Sequence, residues 1–159
     1  MNNGTPPFRA DHVGSLLRPA ELLRTREQRQ QGTISAEALR ATEDRSIRDV
    51  AKLQEEIGLQ GITDGEYRRT IWHADFLRQI EGVRVKEGVA EPLKRGHGIE
   101  TDNFKYLASV TSRMPKLCVP SPTILHMRGG RDAVDSKAYP TWIVSSATWR
   151  KSIAKRFAA

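Results

Sequence analysis

Two short stretches carry the residue types that could bind and orient a small zwitterion. Asp64-Gly65-Glu66 sets two carboxylates around a glycine, with Arg68 and Arg69 close behind, and Asp11-His12-Val13-Gly14-Ser15 sets a hydroxyl beside a glycine. A carboxylate accepts hydrogen bonds from an ammonium group, while a hydroxyl and main-chain amides hold a carboxylate. Val13, Gly14, Ser15 and Glu66 together therefore suit the two ends of an amino acid. Asp-Gly is also a common turn signal, and taken alone residues 64–65 read equally well as a turn.

Other reactive side chains are sparse. Cys118 is the single cysteine, so no intrachain disulfide can form, and its setting in Lys116-Leu117-Cys118-Val119-Pro120 is that of a small buried hydrophobe rather than a nucleophile. Arg128-Gly129-Gly130-Arg131 could cradle an anion through main-chain amides and two cations. A turn with solvated charges is the stronger reading there, because no lysine and hydroxyl follow the glycines as in a phosphate loop.

These residues need elements to position them. Phe8 to Leu17 starts as a strand and ends in a loop at Gly14-Ser15; Pro19 then opens a helix to about Gln31, which Gly32 breaks. Ser35 is a good N-cap for a second helix, in which Leu39, Ile47, Val50, Gln54 and Ile57 mark one side as far as Gly58. Leu59 to Thr63 follows as a short buried strand, which puts Asp64-Gly65-Glu66 just past a strand end, where α/β enzymes carry ligand-binding residues. Ile71 to Ile80 has the helical spacing Trp72, Phe76, Ile80. Residues 82–104 are punctuated by glycines and Pro92 and read as a hairpin, with Val83 and Val85 alternating, inserted on the sheet rather than forming a domain. Lys116 to Met127 resumes as a strand interrupted at Pro120-Ser121-Pro122.

Composition bounds the function classes. The net charge is +7, but Thr141 to Ala159 carry four of the 26 basic residues and no acid, leaving 22 basic against 19 acidic residues in the remainder. No basic stripe interleaved with aromatics occurs in residues 1–140, which argues against nucleic-acid binding. No apolar run approaches the roughly 20 residues that cross a bilayer, and Met1 to Pro7 lacks the features of a secretory signal, so a cytoplasmic location without membrane contact is expected.

At these residues the sequence resembles the catalytic barrel of cobalamin-independent methionine synthase (5-methyltetrahydropteroyltriglutamate-homocysteine methyltransferase), and more closely its single-barrel relatives. The family opens its barrel with Ile/Val-Gly-Ser, here Val13-Gly14-Ser15; after a helix ending Glu-x-Gly-Leu, here Glu56-Ile57-Gly58-Leu59, it places Gly-Glu, here Gly65-Glu66. Ser15-Leu16-Leu17-Arg18-Pro19, Asp64-Gly65-Glu66-Tyr67-Arg68-Arg69, Trp72-His73-Ala74-Asp75-Phe76 and Pro120-Ser121-Pro122-Thr123 look like the single-barrel branch, in the expected order from about Arg9 to Pro140. The resemblance implies an α/β fold that is the N-terminal portion of a (β/α)8 TIM barrel, truncated. It also implies a homocysteine-binding rim, with Ser15 and the adjacent main chain for the carboxylate and Glu66 for the amine. Two departures accompany it. The family activates the thiol on zinc through a His-x-Cys pair, a Glu and a second Cys, all later in the barrel; one cysteine and the scattered His12, His73, His97 and His126 do not reproduce that set. The family also has a Trp after the strand reading Thr-Ile-Leu-Asn, where it meets the pterin, whereas here Thr123-Ile124-Leu125-His126 runs into Met127-Arg128, which leaves the methyl donor open.

After Pro140 the family continues with an acidic, aromatic helix of the type Asp-Leu-Asp-Arg-Phe-Phe, which Thr141 to Arg150 can spell when the codons are read one base out of frame. The expected organisation is thus a barrel portion over 1–140 and a non-family, frameshifted tail over 141–159. An isolated chain of this kind is expected to be inactive, with no catalytic residue of its own. Two other readings stand beside it: a zinc-dependent alkyltransferase acting on another thiol such as coenzyme M, and a non-catalytic small α/β binding protein.

Overall fold

A computed structural model describes residues 12–71, 73–84, 88–94, 96, 98–127 and 129–141 of the 159-residue chain. The fold is mixed α/β, and the chain divides into two compact units, one of residues 1–69 with 101–118 and one of 70–100 with 119–159.

The first unit is built on two helices and a short parallel strand pair. Helix α1 (Ala20–Gln30) starts after Pro19, whose φ of −58° suits a helix entry, and it stops where Gly32 takes φ +74°. Helix α2 (Ala36–Glu56) is capped as expected: the Ser35 hydroxyl oxygen accepts from Ala38 N–H at 3.2 Å. Its predicted inner side is only partly inside. Ile47, Val50 and Gln54 are buried and Leu39 is half-buried, but Ile57 is 67% exposed because the helix has already ended at Glu56. Strand β1 (Gly61–Ile62) is buried and shorter than predicted, and it pairs in parallel with Met114–Pro115, which lies before the predicted Lys116–Met127 strand; none of residues 116–127 is strand. Gly61 faces Met114 and Ile62 faces Pro115, with Lys116 N–H donating to Ile62 O at 2.7 Å. Leu22, Ile47, Val50, Ala51, Ile62, Tyr67 and Leu107 form the core of this unit. Each large aliphatic among them contributes about 1.5–3 kcal/mol by leaving water.

The second unit starts with a single-turn helix, α3 (Ala74–Leu77), where the spacing predicts a helix from Ile71 to Ile80. Asp75 accounts for the shortening at the front, since its carboxylate accepts from the N–H groups of Thr70 and Ile71 and closes a local turn; Trp72 lies outside the described residues. The predicted hairpin is present as β2 (Glu81–Arg84) against β3 (Gly88–Lys94), antiparallel with Val83 opposite Val89; Val85 lies outside the described residues. Phe76, Leu77, Ile80, Val89, Leu93, Leu125, Val134 and Tyr139 make its core.

Several expectations need correction or lie beyond view. Residues 101–104, assigned to the hairpin region, open helix α4 (Thr101–Val110), which belongs to the first unit and leads to β4 (Met114–Pro115). Thr123 to Leu125 is not strand but a 3-10 turn over Pro122–Leu125, with the Ser121 hydroxyl accepting from Thr123 N–H. His12 to Leu17 forms no strand; the start of the predicted Phe8–Leu17 strand and the tail after Thr141 lie outside the described residues. Gly129 leads into a 3-10 turn over Gly130–Ala133. Gly130 takes φ +55°, and the Arg131 guanidinium donates to the carbonyls of Val134 and Tyr139 rather than facing a ligand; Arg128 lies outside the described residues.

Candidate functional site

The site is assembled within the first unit from the loop at 12–18, the turn at 63–69 that follows β1, and the segment after β4. Thr63 is the hinge of the arrangement. Its main chain is satisfied by a side chain: Gln54 of α2 accepts from Thr63 N–H at 2.9 Å and donates to Thr63 O at 2.8 Å, an amide pair that replaces a neighbouring strand. The Thr63 hydroxyl donates to Gly14 O at 2.8 Å and lies 3.1 Å from His12 Nε2, which ties the loop to the strand end. Leu16 N–H donates to Gly65 O at 3.0 Å and the Tyr67 hydroxyl to Leu17 O at 2.8 Å.

Glu66 stands at the centre. Asp64, itself buried, accepts from Glu66 N–H at 2.9 Å and so shapes a turn in which Gly65 has φ +66° and Glu66 φ +57°. Left-handed backbone costs a residue with a Cβ on the order of 1 kcal/mol and is held only where surrounding bonds fix it. The Glu66 carboxylate is buried and pairs with Arg69 at 3.6 Å; Arg69 in turn donates to Cys118 O at 2.7 Å.

Of the four predicted residues, Gly14 and Glu66 come together: Glu66 Oε1 is 3.5 Å from where a Gly14 Cβ would stand. Val13 and Ser15 lie alongside with exposed side chains. The main chain here is asymmetric. The carbonyls of His12, Val13 and Gly14 accept from Lys116 Nζ, Cys118 Sγ and Thr63 Oγ1 in turn. Among the described residues, the N–H groups of Val13, Gly14 and Ser15 have no acceptor. Cys118 is half-buried and engaged with this loop, not sealed in a core. Beneath the turn, Arg68 lies between Glu43 and Asp44 and stacks on the Tyr106 ring at 4.8 Å. Burial pushes the Glu43 carboxyl above its ordinary range, with Arg26 and Arg68 opposing that push.

Sequence reasoning missed Thr63, Gln54, Arg18 and Arg26 as builders of the site. Gln54 carried a signal, as a polar residue in line with Leu39, Ile47, Val50 and Ile57 on the side of the helix read as inner.

No protein-family model matches the chain. It is 38% identical over 144 residues to the uncharacterized protein YxjH of Bacillus subtilis (strain 168), an overlap of 75% of this chain and 36% of that one. It is 32% identical over 82 residues to the 5-methyltetrahydropteroyltriglutamate–homocysteine methyltransferase of Thermotoga maritima, covering 52% of this chain and 11% of the enzyme. Among solved structures, a Listeria monocytogenes protein provisionally assigned as a vitamin-B12-independent methionine synthase superimposes with TM-score 0.76 at 34% identity, over 97% of this chain and 47% of that one. The chain is similar to B12-independent methionine synthases over part of their length. A B12-independent methionine synthase from Shewanella sp. W3-18-1, solved with selenomethionine, shares the fold at TM-score 0.59 and 17% identity, over 77% of this chain and 39% of that one. The chain thus spans about a third of the length of YxjH and about half that of the Listeria protein.

Among the described residues no helix is long and apolar enough to cross a membrane, and no three His, Cys, Asp or Glu side chains come together to hold a metal ion. His12 and Cys118, the nitrogen and sulfur donors nearest Glu66 in the loop network, are bonded to Thr63 and Val13. A tetrahedral zinc site needs three or four converging N, S or O donors, and the residues described do not fit one.

Proposed function

We propose that this chain is the N-terminal portion of a (β/α)8 barrel of a methionine-synthase-like S-methyltransferase, and that it carries the half of the site that binds a thiol amino acid such as homocysteine. One observation carries the reading: three adjacent main-chain N–H groups at 13–15 lack a protein acceptor among the described residues, beside the buried carboxylate of Glu66. An α-carboxylate on those amides and on the Ser15 hydroxyl, with the ammonium on Glu66, satisfies both ends of a zwitterion. Glu66 is already engaged, with Arg69 at 3.6 Å among its partners; that contact is ionic and longer than a hydrogen bond, and a substrate ammonium would join or displace the partners Glu66 has. The likeness to the Listeria protein, and the selenomethionine held by the Shewanella enzyme, support an amino-acid ligand.

In the complete reaction a methyl group passes from a donor to the thiol sulfur, which loses its proton as the new carbon–sulfur bond forms. Zinc, where the resembled family binds it, lowers the thiol pKa; its ligands are to be sought outside this chain, which on this reading binds and orients the amino acid and holds no catalytic group. The methyl donor is left open, and nucleic acid and membrane have no part in the reading.

Titration of the 159-residue chain by calorimetry tests this. Homocysteine and methionine should bind, 4-mercaptobutyrate, which lacks the ammonium, should bind at least tenfold more weakly, and Glu66→Gln should remove the difference. Preferential binding of coenzyme M, which has no ammonium, would overturn the reading in favour of an alkyltransferase for another thiol.

A further inference from the structure

Glu66 in its left-handed turn and the two halves of the clamp are held in register from more than one side. The Asp64 bond to Glu66 N–H acts from within the turn itself. Two guanidinium groups meet the carbonyls of that turn. Arg18 Nη2 donates to Glu66 O at 3.0 Å and to Arg69 O at 2.7 Å. Arg26 of α1 donates from Nη1 to Arg69 O at 3.0 Å and from Nη2 to Tyr67 O, and it is itself oriented by Glu43 at 3.7 Å. Three carbonyls of one turn are therefore gathered by two cations from the loop-and-helix segment that bears Val13-Gly14-Ser15.

We propose that Arg18 is the positioning residue of the amino-acid clamp: it fixes the distance between the 13–15 amides and the Glu66 carboxylate by binding the turn carbonyls from the loop side. The inference rests on the amino-acid reading of the site. Arg18 is three residues from Ser15, and Pro19 behind it confines its backbone to extended conformations, so the loop cannot shift without moving the guanidinium. Beside it, Leu16 N–H to Gly65 O, Tyr67 hydroxyl to Leu17 O and Thr63 hydroxyl to Gly14 O run between the same two segments, and Arg18 adds to these neutral bonds a charged one. A guanidinium offers a planar fork of donors, whereas a lysine ammonium is a compact point charge on a flexible stem. Arg18→Lys thus keeps the charge and loses the geometry.

The test uses the whole chain as wild type, Arg18→Lys and Arg18→Met, with two readouts. The first is amide hydrogen exchange at Leu16, referred to interior amides of α2 in the same molecule. Both variants should lose at least tenfold of the Leu16 protection while α2 keeps its own, and both should bind homocysteine at least tenfold more weakly. Leu16 protection and homocysteine affinity unchanged in Arg18→Lys would overturn the proposal, as would a loss spread equally over Leu16 and α2, which marks a general stability role. A wild-type chain that binds neither homocysteine nor methionine sinks the functional reading instead, and the exchange pattern alone then decides whether Arg18 fixes the turn.

Discussion

Gly14 shows how tightly single residues constrain this site. A Cβ there would stand 2.8 Å from Cys118 Sγ and 3.1 Å from its Cβ, at a φ of +150° that side chains rarely adopt. Gly14→Ala should therefore destabilise the first unit by about 1–3 kcal/mol, the usual cost of overpacking. Cys118→Ala in that background removes the sulfur and should recover part of the loss, so a double-mutant cycle by urea unfolding is expected to show coupling between the two positions. Purely additive effects would mean that the backbone conformation, not the thiol, sets the cost. Glu66 and Gly14 were legible from residue types and spacing: a carboxylate just past a strand end, and a glycine where main chain meets another segment. Arg18 and Arg26 were not, since an arginine just before a helix or within a charged one usually means solvated charge, and only the fold reveals that they turn onto carbonyls 41 to 51 residues away.

At the scale of elements, α2 does two jobs through adjacent side chains. Gln54 replaces a strand for Thr63, so Gln54→Leu leaves a buried N–H and a buried carbonyl unpaired and should cost about 2–4 kcal/mol in chemical denaturation. Glu55 accepts from the Thr111 hydroxyl at 2.6 Å and from Ser112 N–H at 2.8 Å, which ties α2 to the entry of β4. The Thr111 hydrogen bond, followed by that of Ser112, holds the Glu55 carboxyl below its ordinary 4.5. A carboxylate with a depressed folded pKa adds stability above the unfolded value and loses it as pH falls through the folded one. The stability difference between wild type and Glu55→Gln should then be full above about pH 4.5 and vanish on further acidification, the 4.5 being the group's ordinary value. A difference that does not change with pH would show that the bond does not depend on charge. Helices α1 and α2 were legible because caps and glycine stops are local signals. The strands were legible only roughly, since two-residue ladders such as β1 and β4 leave almost no periodicity, and α4 was hidden where Gly98 and neighbouring charges blurred its start.

At the scale of the molecule, the parallel pair β1–β4 is a sheet of two strands among the described residues, and such a pair has an open edge on each side. Apolar side chains stay exposed around the first unit: Leu17 at 94%, Val13 at 82% and Ile57 at 67%, with Leu53 and Met114 half exposed. Residues of this kind are covered in a closed barrel, in which every strand has two neighbours and the helices form an outer ring. The chain spans 47% of the length of the Listeria protein it superimposes on. Two consequences separate a partial barrel from a self-sufficient binding protein. The isolated chain should bind an environment-sensitive apolar dye and self-associate at micromolar concentration, and Leu17→Glu with Ile57→Glu should reduce both without lowering the unfolding midpoint, because neither side chain is in the core. It should also form no methionine from homocysteine when supplied with zinc and a methyl donor, since binding one substrate does not activate its thiol. Methionine formed by the purified 159-residue chain, dependent on zinc and abolished by Glu66→Gln, would show that the site is complete as it stands and would overturn the partial-barrel reading.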